Sequence, residues 1–128
     1  FGQETDSFSS PYGEVNSEVA QLIKQYYKSH RGADGGYNTK EDFDAYNIRS
    51  MPLTSATTVT EVKGWIDQAI HDKSWLVLLY HDIRPDDGSG FEWTNTPEDL
   101  DAVLAYLASK GVAVKTTSGA LAEIRPQL

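Results

Sequence analysis

The chain has no cysteine among its 128 residues, so neither a disulfide framework nor a thiolate zinc site can form. Positive charge is scarce. Eleven Lys and Arg stand against 19 Asp and Glu, a formal charge of −8. That balance argues against nucleic acid and anionic membrane as partners, because both reward clustered Lys and Arg. No apolar run approaches the length that spans a bilayer. No signal peptide is legible, and the first residue is Phe1 rather than Met, so residue 1 is expected to be an internal position of a longer protein. A chain free of cysteine suits an exported protein, and a secreted or cell-surface location is expected.

What is present is enough for a core. Hydrophobic residues make up 39% of the chain, with three Trp, seven Tyr and four Phe. A chain of this length is one domain, able to bury roughly 65–70% of its unfolded surface. Three helices follow from spacing and caps. Val19, Leu22, Ile23, Tyr26 and Tyr27 recur at helical spacing after Asn16 and Ser17. Thr58 with Glu61 forms a capping-box pattern ahead of Val62, Trp65, Ile66 and Ala69. Thr96-Pro97 opens a third helix with Leu100, Val103, Leu104 and Leu107 on one face and Gly111 as its stop. The segments 5–10, 46–53, 75–80 and 111–117 read as strands, and "SGALAEI" as a short helical tail. The run "WLVLLY" (75–80) lacks polar alternation, which predicts a strand covered on both faces. Strands alternating with helices predict an α/β fold with a parallel sheet and right-handed crossovers. The stretches 29–47 and 84–95 read as loops.

In parallel α/β folds, functional groups collect where strands end. Two such places carry chemistry. "WLVLLYHDI" (75–83) ends its apolar run in His81 and Asp82, and "FSSPYG" (8–13) is a Pro-Tyr-Gly turn after a strand.

At these places the sequence resembles the polysaccharide deacetylase family, the nodulation-protein homology domain of carbohydrate esterases. That family carries an aromatic–x–x–Pro–Tyr–Gly turn and an apolar strand ending in His, here "LVLLYHDI" (76–83). The text "GGYNTKEDFDAYNIRSMPLTSATTVTEVKGWID" and the ending "LDAVLAYLASKGVAVKTTSGAL" are similar to one bacterial branch. The resemblance spans essentially the whole chain and implies the C-terminal half of an irregular (β/α) barrel. The fold expected here is therefore a partial barrel of about four parallel strands alternating with helices.

The resemblance also implies a division of labour. The family's divalent metal, often zinc, is held by a Thr-Phe-Asp-Asp Asp and a His-x-x-x-His pair lying upstream of the turn. His30, His71 and His81 include no pair at ligand spacing, and Asp86-Asp87 sits in a Pro/Gly loop. No metal site is therefore expected in this chain, and zinc belongs to the complete domain. The strand-end His corresponds to His81, a general acid toward the leaving amine; an imidazole that titrates near about pH 6.5 suits this work, typically worth about 10²–10⁴-fold. The plainer alternative for His81 is a core histidine bonded to backbone.

Tyr12 corresponds to the residue whose backbone N–H holds the tetrahedral oxyanion, with Pro11 and Gly13 shaping the turn; an ordinary turn is the alternative. Ser9 stands where the family commonly has an Arg. Asp82 flanks or orients His81. Trp93 and Phe91 are candidates for stacking on sugar rings, or for a plug at the rim. Arg31, Asp42 and Asp44 occupy a loop where a supporting Asp-x-x-Asp-Trp segment could have an equivalent, although charged loop residues are mostly solvated. Trp65 and Trp75 read as core, His71 as a partner of its helix dipole and His30 as the end of the first helix. An EF-hand loop from Asp82 is excluded, since it needs a ligand at Arg84 and Gly at Asp87.

Two functions are consistent with these residues. One is part of a carbohydrate N- or O-deacetylase acting on an acetylated polysaccharide, completed by a missing N-terminal half. The other is a non-catalytic half-barrel that self-associates through exposed strand edges.

Overall fold

Four helices are laid down by the local signals in the sequence. The computed structural model of the protein describes residues 5–128; Phe1, read as an internal position of a longer protein, lies outside them. Helix α1 (Ser17–Tyr26) begins where the Asn16 side chain accepts the Val19 N–H at 2.9 Å. Helix α2 (Val59–Asp72) carries a complete capping box: Glu61 N–H donates to Thr58 Oγ1 at 3.2 Å, and Thr58 N–H donates to Glu61 Oε2 at 2.7 Å. Helix α3 (Pro97–Lys110) starts on Thr96, with Pro97 in its first turn, and stops at Gly111, whose φ of 65° is a left-handed cap. Helix α4 (Thr117–Ile124) is capped by Thr116, which accepts the Gly119 N–H at 3.2 Å. No helix among the described residues is long and apolar enough to cross a membrane.

The strands are shorter than expected and pair only two at a time. β1 (Ser7–Ser9) pairs with β2 (Ser29–Arg31), β3 (Met51–Pro52) with β4 (Leu78–Leu79), and β5 (Asp82–Ile83) with β6 (Thr94–Asn95), each pair parallel. The expected partial (β/α) barrel of about four parallel strands is therefore not what forms: the described residues make a small mixed α/β structure with three separate two-stranded sheets. Stagger is the physical reason. The run 48–53 meets β2 near its start, where Ile48 N–H donates to His30 O, and meets β4 only further on, where Leu53 N–H donates to Leu79 O. No level of that run carries a strand on both sides at once.

Other expectations also need correcting. Residues 112–116 are not a strand; they have strand composition but pair with no strand among the described residues, and Val114 is 72% exposed. β2 and β6 form inside the stretches 29–47 and 84–95 that read as loops, and β5 forms just past the apolar run 75–80, because strands of two or three residues are too short to show a period. The run 75–80 is half-buried throughout rather than covered on both faces. Leu76, Leu78 and Tyr80 pack on the cluster of Leu53, Val62, Ile66 and Val103, which joins α2, α3 and β4. Beside them lies an apolar groove of about 760 Å³, with Ile70, Leu104 and Val114 on its walls. The apolar face of α1 is also left open: Ile23 is buried, while Leu22 is 52% and Tyr26 75% exposed.

The ranking of these contributions can be measured. Ile66→Ala removes a side chain from the centre of the apolar cluster and is expected to cost about 2–5 kcal/mol, whereas Thr58→Ala removes one cap and costs about 1 kcal/mol. Urea unfolding of both variants gives that order; a Thr58→Ala loss equal to that of Ile66→Ala would show that α2 is held by its cap instead of its buried face.

Candidate functional site

The Pro-Tyr-Gly turn follows β1 directly. Gly13 N–H donates to Ser10 O at 3.1 Å and closes the turn, with Pro11 ahead of Tyr12. Tyr12 has φ 57° and ψ 10°, the conformation required at the third residue of a type II turn and normally given to Gly or Asn. Holding a Tyr there costs on the order of 1–2 kcal/mol. Its side chain is fully exposed, and its N–H has no partner among the described residues. Gly13 has φ 74°, and a Cβ at that position would come within 2.7 Å of Ala33 Cβ. The turn is thus seated tightly on the segment that follows β2.

Two adjacent residues of β2 hold the approach to the turn. His30, only 2% exposed, places Nε2 2.8 Å from Ser10 Oγ and Nδ1 3.0 Å from Tyr46 O. A carbonyl oxygen only accepts, so Nδ1 carries the proton; in the neutral ring Ser10 then donates to Nε2. Phe8 stacks on the His30 ring with centroids 6.1 Å apart. Arg31 donates through Nη2 to Ser9 Oγ and through Nη1 to Gly32 O at 3.1 Å. The expectation that His30 ends the first helix is therefore incorrect; it lies on β2 and organises the turn. No local pattern announces it, since Ser10 is twenty residues away in sequence.

His81 stands apart from this polar cluster. It is exposed, between β4 and β5, and its ring lies 4.6 Å from that of Trp93. β5–β6 pairing produces this contact, because Asp82 N–H donates to Trp93 O at 3.2 Å. Asp82 does not bond His81. Its Oδ2 lies 2.9 Å from Arg84 Nε, an ion pair by distance without hydrogen-bond alignment, and accepts from Thr94 Oγ1 at 3.3 Å. Arg84 also reaches Asp87 Oδ2 at 3.3 Å. Hydrogen bonds from Ser89, helped by Arg84, hold the Asp87 carboxyl below the usual range. This network shapes the loop that presents Trp93 beside His81, with Phe91 exposed at its edge.

The two candidate groups share an end without touching. Parallel pairing directs both outlets the same way, but Ser9 and Arg31 lie level with Ile48, whereas His81, two residues past Leu79, comes level with Thr54. No hydrogen bond, ion pair or ring contact joins His81 to the turn among the described residues. Asp42 and Asp44 brace the intervening loop: Asp42 pairs with Arg49 at 2.6 Å, and Asp44 Oδ1 accepts the Tyr46 N–H at 2.8 Å. Hydrogen bonds from Thr39 and Arg49 depress the Asp42 carboxyl. Among the described residues no group of three or more His, Asp or Glu is placed to hold a metal ion. No family model, curated protein or solved structure matches the chain, so function has to be read from the chemistry of these groups.

The two histidines are expected to respond oppositely to removal. His30→Phe keeps a ring against Phe8 but strands Ser10 Oγ and Tyr46 O, each worth about 1–3 kcal/mol when left unpaired. The exposed His81→Ala should stay within about 0.5 kcal/mol of the parent. Equal melting temperatures for the two variants would contradict the buried clamp. Gly13→Ala combines strain at positive φ with contact on Ala33 and is expected to lose more than about 1 kcal/mol by the same measurement.

Proposed function

We propose that this chain is part of a carbohydrate deacetylase, secreted or at the cell surface, in which His81 is the general acid and the Tyr12 N–H is an oxyanion donor. The single observation that carries the reading is His81 itself. It is an exposed imidazole at a strand outlet with the Trp93 ring 4.6 Å away, which pairs a proton donor with an apolar face suited to the C–H surface of a sugar. The free N–H of a strained Tyr12 supports the second role, since backbone strain at a turn is kept where surrounding structure enforces it. Pro11 and Gly13 hold the turn, and Asp82 sets the β5–β6 loop through Arg84 and Thr94.

The described residues offer no ligand set for a catalytic divalent metal, so no step through such an ion is assigned to them. On this reading the metal, zinc in the resemblance, is held by an upstream half. The chain's own residues do two things: His81 delivers a proton to the departing amine or alcohol, and the turn donates a hydrogen bond to the developing oxyanion. Acid catalysis of this kind contributes about 10²–10⁴-fold, and one oxyanion donor about 2.7–4 kcal/mol.

A second reading, a non-catalytic protein that self-associates, draws on the open strand edges and the exposed face of α1. Acetate release from N-acetylglucosamine oligomers separates the two. The chain alone is expected to be nearly inactive. Supplied with the polypeptide encoded ahead of Phe1 and with zinc, it should turn over, and His81→Ala should lower kcat about 10²–10⁴-fold. Unchanged kcat in His81→Ala would end the deacetylase assignment, as would inactivity of the complemented protein alongside stable homo-oligomers in light scattering.

A further inference from the structure

We propose that the outlet of β1 and β2 is a carboxylate-binding site built on the guanidinium of Arg31. The side chain is half-buried, and both of its hydrogen bonds go to neutral acceptors, Gly32 O and Ser9 Oγ. No carboxylate lies within ion-pair range of it among the described residues. Arg49 and Arg84 contrast with it: each sits on a carboxylate, of Asp42 at 2.6 Å and of Asp82 at 2.9 Å. In a chain of net charge −8, acids are abundant, yet none is placed here. Burial pushes the Arg31 pKa down, and no acid acts to restore it.

A partly desolvated cation without a counter-ion is costly. The cost is relieved when an anion completes the fork of donors that the guanidinium still presents on Nε and on the remaining Nη protons. The planar fork matches a carboxylate in two parallel bonds. A singly charged carboxylate fits better than a dianionic phosphate, because one cation must hold it against the field of an acidic protein. Ser9, already hydrogen-bonded to Arg31, fixes the guanidinium, and the unpartnered Tyr12 N–H stands at the same outlet. Assigning the carboxylate to an acidic sugar, a uronic acid or a lactyl ether on an amino sugar, rests on the glycan reading above; the anion site itself does not.

NMR titration of the folded chain tests this without any enzymatic activity. Sodium glucuronate is expected to shift the Arg31 Nε–H, Ser9 and Tyr12 resonances saturably, while N-acetylglucosamine leaves the Arg31 Nε–H in place. Arg31→Gln should weaken glucuronate binding roughly tenfold or more, and Arg31→Lys, which keeps charge but loses the fork, should fall between. Dispersed spectra of both variants establish that they fold. Unaltered affinity in Arg31→Gln, or no saturable shift, overturns the site. Acetate binding as tightly as glucuronate supports a carboxylate site and overturns its assignment to a sugar; tighter binding of inorganic phosphate overturns the choice of a monoanion.

Discussion

His30 joins three segments through hydrogen bonds. Its backbone N–H donates to Ala45 O and its carbonyl accepts from Ile48 N–H, while the two ring nitrogens meet Ser10 and Tyr46. One buried residue thus links the end of β1, strand β2 and the far side of the loop that returns toward β3. Each such bond contributes modestly on balance, about 0.5–1.5 kcal/mol, but an unmade one inside a low-dielectric interior costs more. The position of the Pro-Tyr-Gly turn, and that of Arg31 beside it, follow from this clamp.

The protein consequently has two interiors of different character. Between α2, α3 and β4 the packing is apolar and centred on Leu53, Val62, Ile66 and Val103; such packing tolerates changes of shape provided volume is kept. Around β1 and β2, beside the buried Ile48, several of the buried groups are polar. Ser29 Oγ donates to Ser7 Oγ at 2.9 Å, Ser50 Oγ to Gly32 O at 2.9 Å, and Asn38 bridges Arg49 and Trp75. A polar interior is exacting, because each donor has few acceptable positions. The candidate turn is seated on the polar interior through Ser10, whereas His81 and Trp93 rest on the β5–β6 pairing.

Helices were the legible part of the sequence. Thr58 with Glu61, Thr96 with Pro97, and Gly111 act within a few residues of the backbone groups they satisfy, so their effect is visible in a short window. Strands were legible in part, at the segments 5–10, 46–53 and 75–80, but their pairing was not. The stretch 111–117 has strand composition but pairs with no strand among the described residues, and "SHR" (29–31) has none of the usual signs yet pairs with β1. Among the candidate site residues, His81, Trp93, Tyr12 and Gly13 could be singled out from type and position. The Ser10–His30 bond and the Arg31–Ser9 bond could not, since each spans twenty residues or more.

By itself the sequence determined where the first three helices start and that Gly111 would stop α3, that Pro11-Tyr12-Gly13 would turn, and that His81 would close an apolar run. These are effects of a few neighbouring residues on local backbone energy. Tertiary structure alone decided that parallel strands would pair in twos instead of forming one sheet, that His30 would be buried and His81 exposed, and that Arg31 would have no acid beside it among the described residues. Those outcomes depend on stagger between distant segments and on which polar groups meet once water is excluded, and no short window of sequence contains that information.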